Sequence, residues 1–174
     1  MPNYPLVEAR NVGEKQRPTA ISLKTSFTTS EKKAALGMVN YWHRSSSQLP
    51  LAHYVVDEAE LYRCVDIRRQ VYEAPYRSIA VMLCTEPLDD IRMWDDTARY
   101  SVLHKTATLV AQLCLAHKIK PRLLDEAALV KWQKRRSRRR GGVISRITGE
   151  FPSERFILDV QSEMIRHGWK DITW

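Results

Sequence analysis

The chain has 174 residues, 44% of them hydrophobic and 28% charged, which suits one soluble domain with one core. No run approaches the roughly 20 apolar residues of a membrane span, and residues 1–18 lack the apolar stretch of a secretory leader, so neither a membrane-spanning protein nor a signal peptide is expected. A net charge of +8 and a pI near 9.6 favour acidic partners such as nucleic acid, anionic wall polymers or an acidic protein surface, and leave the fold open.

Residues 1–18, with Pro2, Pro5 and Pro18 and little periodicity, read as an extended N-terminal arm. Ala20-Ile21-Ser22-Leu23-Lys24 alternates as a half-buried strand does. Thr28-Thr29-Ser30 offers N-caps to a helix with Ala34, Ala35, Met38, Val39 and Trp42 at helical spacing, ended by Ser45-Ser46-Ser47 and Pro50. His53 to Asp57 reads as a strand, Glu58-Ala59-Glu60 as a turn and Leu61 to Val65 as the hairpin partner. Ser78 to Cys84 is almost continuously apolar, as a strand buried on both faces must be.

Asp95 and Asp96 are placed to cap a long helix striped with Val102, Leu103, Leu109, Val110, Leu113 and Cys114, and Lys118 suits its C-terminal end. After Pro121, Asp125 opens a helix with Ala128, Leu129 and Trp132. Gly141 to Ile144 reads as a short strand. Ser153 reads as the cap of a last helix with Phe156, Ile157, Val160, Met164 and Ile165 on one face, stopped at Gly168. The order β-α-β-β-β-α-α-β-α implies an α/β domain over residues 19–167, a single mixed central sheet flanked by helices, followed by a tail at 168–174. Trp169 and Trp174 in that tail either form an interface or fold back onto the domain. Cys64, Cys84 and Cys114 lie in apolar runs without paired spacing, so reduced, buried thiols are expected rather than a disulfide framework.

Several runs carry a resemblance. His53-Tyr54-Val55-Val56-Asp57 followed by Leu61-Tyr62-Arg63-Cys64-Val65, then Arg77-Ser78-Ile79-Ala80-Val81, then Arg139-Arg140-Gly141-Gly142-Val143-Ile144, and finally Phe151-Pro152-Ser153-Glu154-Arg155-Phe156 stand in one order and at one spacing. Over residues 19–166 the chain resembles the N-acetylmuramoyl-L-alanine amidase domain of phage endolysins, of the peptidoglycan-recognition fold. The resemblance implies a zinc-dependent amidase scaffold, but the site positions differ. The family's first strand ends in a histidine where this chain has Lys24, and a second ligand histidine corresponds to Ser145. Glu73 stands at a family histidine, Met82 at a family glutamate, and Ala52 where related lysins often carry a tyrosine.

Catalytic zinc needs three protein ligands and an open position for water. A lysine is cationic and donates only, and serine is a poor zinc ligand. The ligand-bearing loop before Phe151 is short, with Thr148 and Glu150 its only candidates. His43, His53, His104, His117 and His167 form no closely spaced pair, and no Cys-x-x-Cys occurs, so no replacement metal site is expected. No catalytic residues, zinc or other cofactor are therefore expected. If the alignment is right, Lys24, Glu73, Met82 and Ser145 must converge in one cleft.

Lys131, Lys134, Arg135, Arg136, Arg138, Arg139, Arg140 and Arg146 form a basic segment without an acidic residue. It reads either as a solvated helix end and loop or as an anion-binding surface with salt-dependent, nonspecific affinity for nucleic acid or an anionic wall polymer. The leading expectation is a phage-encoded, non-catalytic structural or binding module. It would be a tail- or capsid-associated virion component docked on other virion proteins, present in the host cytoplasm before assembly. Peptidoglycan binding without cleavage is the alternative, as is an active endolysin if the ligands are misaligned; nucleic-acid binding through the 131–146 segment ranks below these. No membrane partner is expected.

Overall fold

A computed structural model describes residues 13–26, 33–45, 50–134 and 141–169. Five strands form one sheet: β1 (Ala20–Thr25), β2 (Tyr54–Val56), β3 (Leu61–Arg63), β4 (Ser78–Leu83) and β5 (Val143–Ser145), in the order β3-β2-β4-β1-β5. β2, β4, β1 and β5 run parallel to their neighbours, and β3 closes one edge as the antiparallel arm of a hairpin. The helices are α1 (Ala34–Arg44), α2 (Thr97–His117), α3 (Glu126–Lys134) and α4 (Ser153–Arg166), with a 3-10 turn at Ile91–Asp95. The expected element order holds, with that turn added.

β4 is central, and every one of its residues is buried, which is why its sequence shows no alternation. The sheet separates two apolar layers. One face presents Ile21, Leu23, Val56, Ile79, Val81 and Leu83 to α2 and α4, which pack on each other. The other presents Val55, Ala80 and Met82 to Ala35, Val39 and Trp42 of α1. On the first side Trp94, Phe151 and Phe156 interlock, with ring centroids 5.5 and 5.4 Å apart in succession, and Trp94 Nε1 donates to the Glu150 carbonyl at 2.8 Å.

Local chemistry explains most boundaries. Asp96 caps α2 by accepting from the Ala98 N–H at 3.1 Å, whereas Asp95 forms an ion pair with Arg155. Asp125 accepts from the Ala128 N–H at 2.6 Å and opens α3. The predicted caps Thr28 to Ser30 lie outside the described residues; α1 is instead held by Asp57, whose buried carboxylate accepts from the Ala35 N–H at 3.0 Å. The same carboxylate accepts from the N–H groups of Ala59 and Glu60 at 2.8 and 2.7 Å, shaping the β2–β3 turn.

Ser153 begins α4 but makes no side-chain cap, because Pro152 holds the cap position. At the other end Gly168, with φ at +86°, forms a Schellman motif: Gly168 N–H donates to Ile165 and Trp169 N–H to Met164. Trp169 thereby folds back onto the core, which answers one half of the tail expectation; Trp174 lies outside the described residues.

Residues 13–16, within the stretch read as an extended arm, pair with the domain: the Gly13 N–H donates to the Gln70 carbonyl at 3.2 Å and the Gln16 N–H to that of Arg68 at 2.6 Å. A Cβ at Gly13 would lie 2.5 Å from that Gln70 oxygen, so the approach requires glycine. Among the described residues no helix is long and apolar enough to cross a membrane.

Candidate functional site

Lys24 lies near the C-terminal end of β1, on the α1 side of the sheet, and the strand register sets Met82 beside it. Two charged groups from elsewhere in the chain act on its ammonium: Glu73, from the loop between β3 and β4, and Arg146, one residue beyond β5. Burial is the dominant influence, lowering Lys24 to about 8; Glu73 opposes that shift and Arg146 reinforces it. The Arg146 guanidinium donates to the main-chain carbonyl of Glu73 at 2.6 Å. Its backbone N–H donates to the Leu23 carbonyl at 2.8 Å, anchoring the residue at the β1 edge. Glu73 itself has φ at +59°, a left-handed conformation costing a side-chain-bearing residue about 1–2 kcal/mol.

Three of the four residues required to converge therefore do so: Lys24, Glu73 and Met82. Ser145 does not join them. β5 pairs Ser145 with Leu23, so these two share the opposite face of the sheet from Lys24. Arg146, the next residue, takes the place beside Lys24. Its neighbours in the chain place Arg146 in the basic segment; the strand period of two is the signal that separates it from them. Ala52 is wholly buried in the α1-side core.

Beside Glu73, a groove of about 400 Å³ runs between residues 13–14, Pro50 and residues 70–73. Tyr72 on its wall is 55% exposed. The wall depends on the Gly13–Gln70 pairing, a long-range contact that no local pattern announces.

His53 is structural. It is fully buried, its Nδ1 accepts from the Ala80 N–H at 2.8 Å, and its Nε2 therefore carries the proton and donates to the Arg69 carbonyl at 2.7 Å. Burial pushes it down to about 4, so it stays neutral. The cysteines are buried and unpaired. Burial raises all three thiols, Cys84 and Cys114 to about 12, so none is an activated nucleophile.

The donor set around Lys24 is an ammonium, a guanidinium, one carboxylate and a thioether. It does not fit catalytic zinc, which takes imidazole, thiolate or carboxylate ligands, and two cations repel a dication. Among the described residues no group of three or more His, Cys, Asp or Glu could hold a metal ion.

Of the basic segment, Lys131 is exposed on α3. Arg135, Arg136, Arg138, Arg139 and Arg140 lie outside the described residues, as does the side chain of Lys134. Trp132 packs close over Gly141, two residues before β5, where a Cβ would meet its Nε1 at 2.9 Å.

The sheet order, the hairpin edge and the helices on both faces define an amidase-like α/β fold, that of endolysin catalytic domains. Particular solved structures match it over most of their length. The Staphylococcus aureus hydrolase AmiA, solved in complex with its ligand, gives a TM-score of 0.65 at 12% identity over 99% of this chain and 88% of that one. PlyL gives 0.62 at 14% identity, covering 91% and 96%. The catalytic domain of XlyA gives 0.60 at 16% identity, covering 89% and 98%. No protein-family model and no curated protein sequence matches the chain. At such identities the likeness carries architecture, and chemistry has to be read from this chain's own side chains.

Proposed function

We propose that this chain is an amidase-fold module with a peptidoglycan-related role that holds its ligand without hydrolysing it. The likeness to endolysin and hydrolase catalytic domains supports the first half. What supports the second is the residue set around Lys24: Met82 stands beside it and the charge of Arg146 acts on it, and neither an ammonium, a thioether nor a guanidinium is a zinc ligand.

The test pairs binding with turnover. Purified protein is expected to sediment with purified cell walls, to contain far less than stoichiometric zinc, and to leave wall turbidity unchanged when zinc is supplied. Stoichiometric zinc together with wall solubilisation overturns the non-hydrolytic reading. Failure to sediment overturns the wall-binding part.

The finer form of the proposal makes the chain a tail- or capsid-associated virion component that docks on other virion proteins. Its basic character, +8 overall, supports such docking on acidic surfaces. Purified particles should then contain the chain in fixed stoichiometry, and particles that lack it end this part of the reading.

A further inference from the structure

We propose that the space between Lys24 and Arg146 is an oxyanion-binding site, whose ligand is a free carboxylate or a phosphate monoester. This deepens the binding role proposed above by naming the ligand chemistry of the same cleft.

The two cations come from opposite ends of the sequence and are brought together by the pairing of β1 with β5. They repel each other, and Lys24 is partly withdrawn from water. Among the described residues, none of the ion pairs includes either of them. Arg146 is held in place by a neutral carbonyl, that of Glu73, rather than by a carboxylate. One contact to a carbonyl leaves most of the five guanidinium N–H donors for a ligand. Guanidinium and ammonium together suit an oxyanion, the first by its fork and the second as a point charge.

Glu73 is the opposing charge. With it the trio carries a net single positive charge, so a carboxylate makes the group neutral and a phosphate monoester, at about −1.5 to −2, leaves it slightly negative. Glu73, whose carbonyl holds Arg146, also lines the groove of about 400 Å³, which has room for the organic part of a larger molecule. The buried Met82 beside Lys24 gives that cation an apolar neighbour, which strengthens a charge contact there relative to open water.

The test is an NMR titration of the whole protein with sodium acetate and, separately, with inorganic phosphate, at ionic strength fixed with sodium chloride. Saturable shifts are expected at the Lys24 Cε and Arg146 Nε resonances, with the Lys24 titration midpoint rising on binding. Lys24→Met and Arg146→Gln should each weaken the response about tenfold, the effect of losing one charge-assisted contact. Saturation by acetate alone assigns a carboxylate, by phosphate alone a phosphate monoester, and by both the shared oxyanion chemistry. Shifts that grow linearly, that persist unchanged in both variants, or that are confined to residues 131–140 overturn the site. If Arg146→Gln does not fold, Lys24→Gln reads the same site from β1. The outcome separates from wall binding: wild-type protein that sediments with walls but saturates with neither ion loses only the oxyanion site, and the converse result loses only wall binding.

Discussion

The sheet face under α2 and α4 and the face under α1 bury their residues on different terms. The first is a continuous apolar layer that includes Trp94, Leu103, Val110, Phe156 and Met164. The second is smaller, contains the cation Lys24 and the carboxylate Asp57, and is bordered by His53. Stability is concentrated where packing is dry and uninterrupted; the cleft sits where the layer already admits charge. A change at Lys24 or Arg146 is therefore expected to alter binding before it alters folding, and a change on the other face to do the reverse.

The largest expected effect tests the dry face. Phe156→Ala removes a fully buried ring in contact with Phe151 and should cost about 3–5 kcal/mol, measured by urea unfolding. A loss below about 1 kcal/mol, the scale of a surface substitution, would mean that α4 is not the support it looks to be.

His53 tests the border of the other face and has a pH signature. Its value falls from 6.5 unfolded to about 4 folded. Above pH 6.5 both states are neutral and its full contribution is present. As pH falls from 6.5 towards 4 the unfolded state takes up the proton first, so stability should drop by about 3 kcal/mol. His53→Ala should cost about 2–4 kcal/mol at pH 7, because it leaves a cavity and the buried Ala80 N–H loses its partner, while the Arg69 carbonyl keeps the Gln16 amide. It should also flatten the slope between pH 6.5 and 4. An unchanged slope would assign the acid sensitivity to another group.

Asp57→Ala is next, at about 2–3 kcal/mol, since three backbone N–H groups lose one acceptor. Hydrogen exchange should show the loss at Ala35, Ala59 and Glu60 together; exchange confined to the turn would mean that α1 does not depend on this carboxylate.

These residues also show what the sequence makes legible. The apolar run at Ser78–Cys84 announces the central strand because a strand covered on both faces has no polar alternation. Helix spacing reveals the stripe of α2 for the same reason. The site is legible only in part. The register sets Met82 beside Lys24 and the charge of Glu73 acts on it, but Ser145 faces the other way and Arg146 takes its side, because a shift of one residue along a strand reverses the face. Neighbourhood in the chain then concealed Arg146 among the other arginines. The pairing of residues 13–16 with 68–70 leaves no local trace either, since it is made of main-chain hydrogen bonds that any side chains permit, apart from glycine at Gly13.

The smallest expected effect bears most directly on the comparison. Lys24 has a folded value of about 8 against 10.5 unfolded. Above pH 10.5 it is neutral in both states. As pH falls towards 8 the unfolded chain binds the proton first, so the folded state loses stability across that window and carries the full penalty below it. Water reaches part of this side chain, which limits the penalty to about 1 kcal/mol. Lys24→Met should thus be neutral or slightly stabilising at pH 7 while removing the rise in stability between pH 8 and 10.5. A protein under selection for stability alone has no reason to keep a half-buried cation next to a second one. If Lys24→Met instead destabilises at pH 7, the ammonium is part of the framework, and the cleft belongs with the dry face rather than against it.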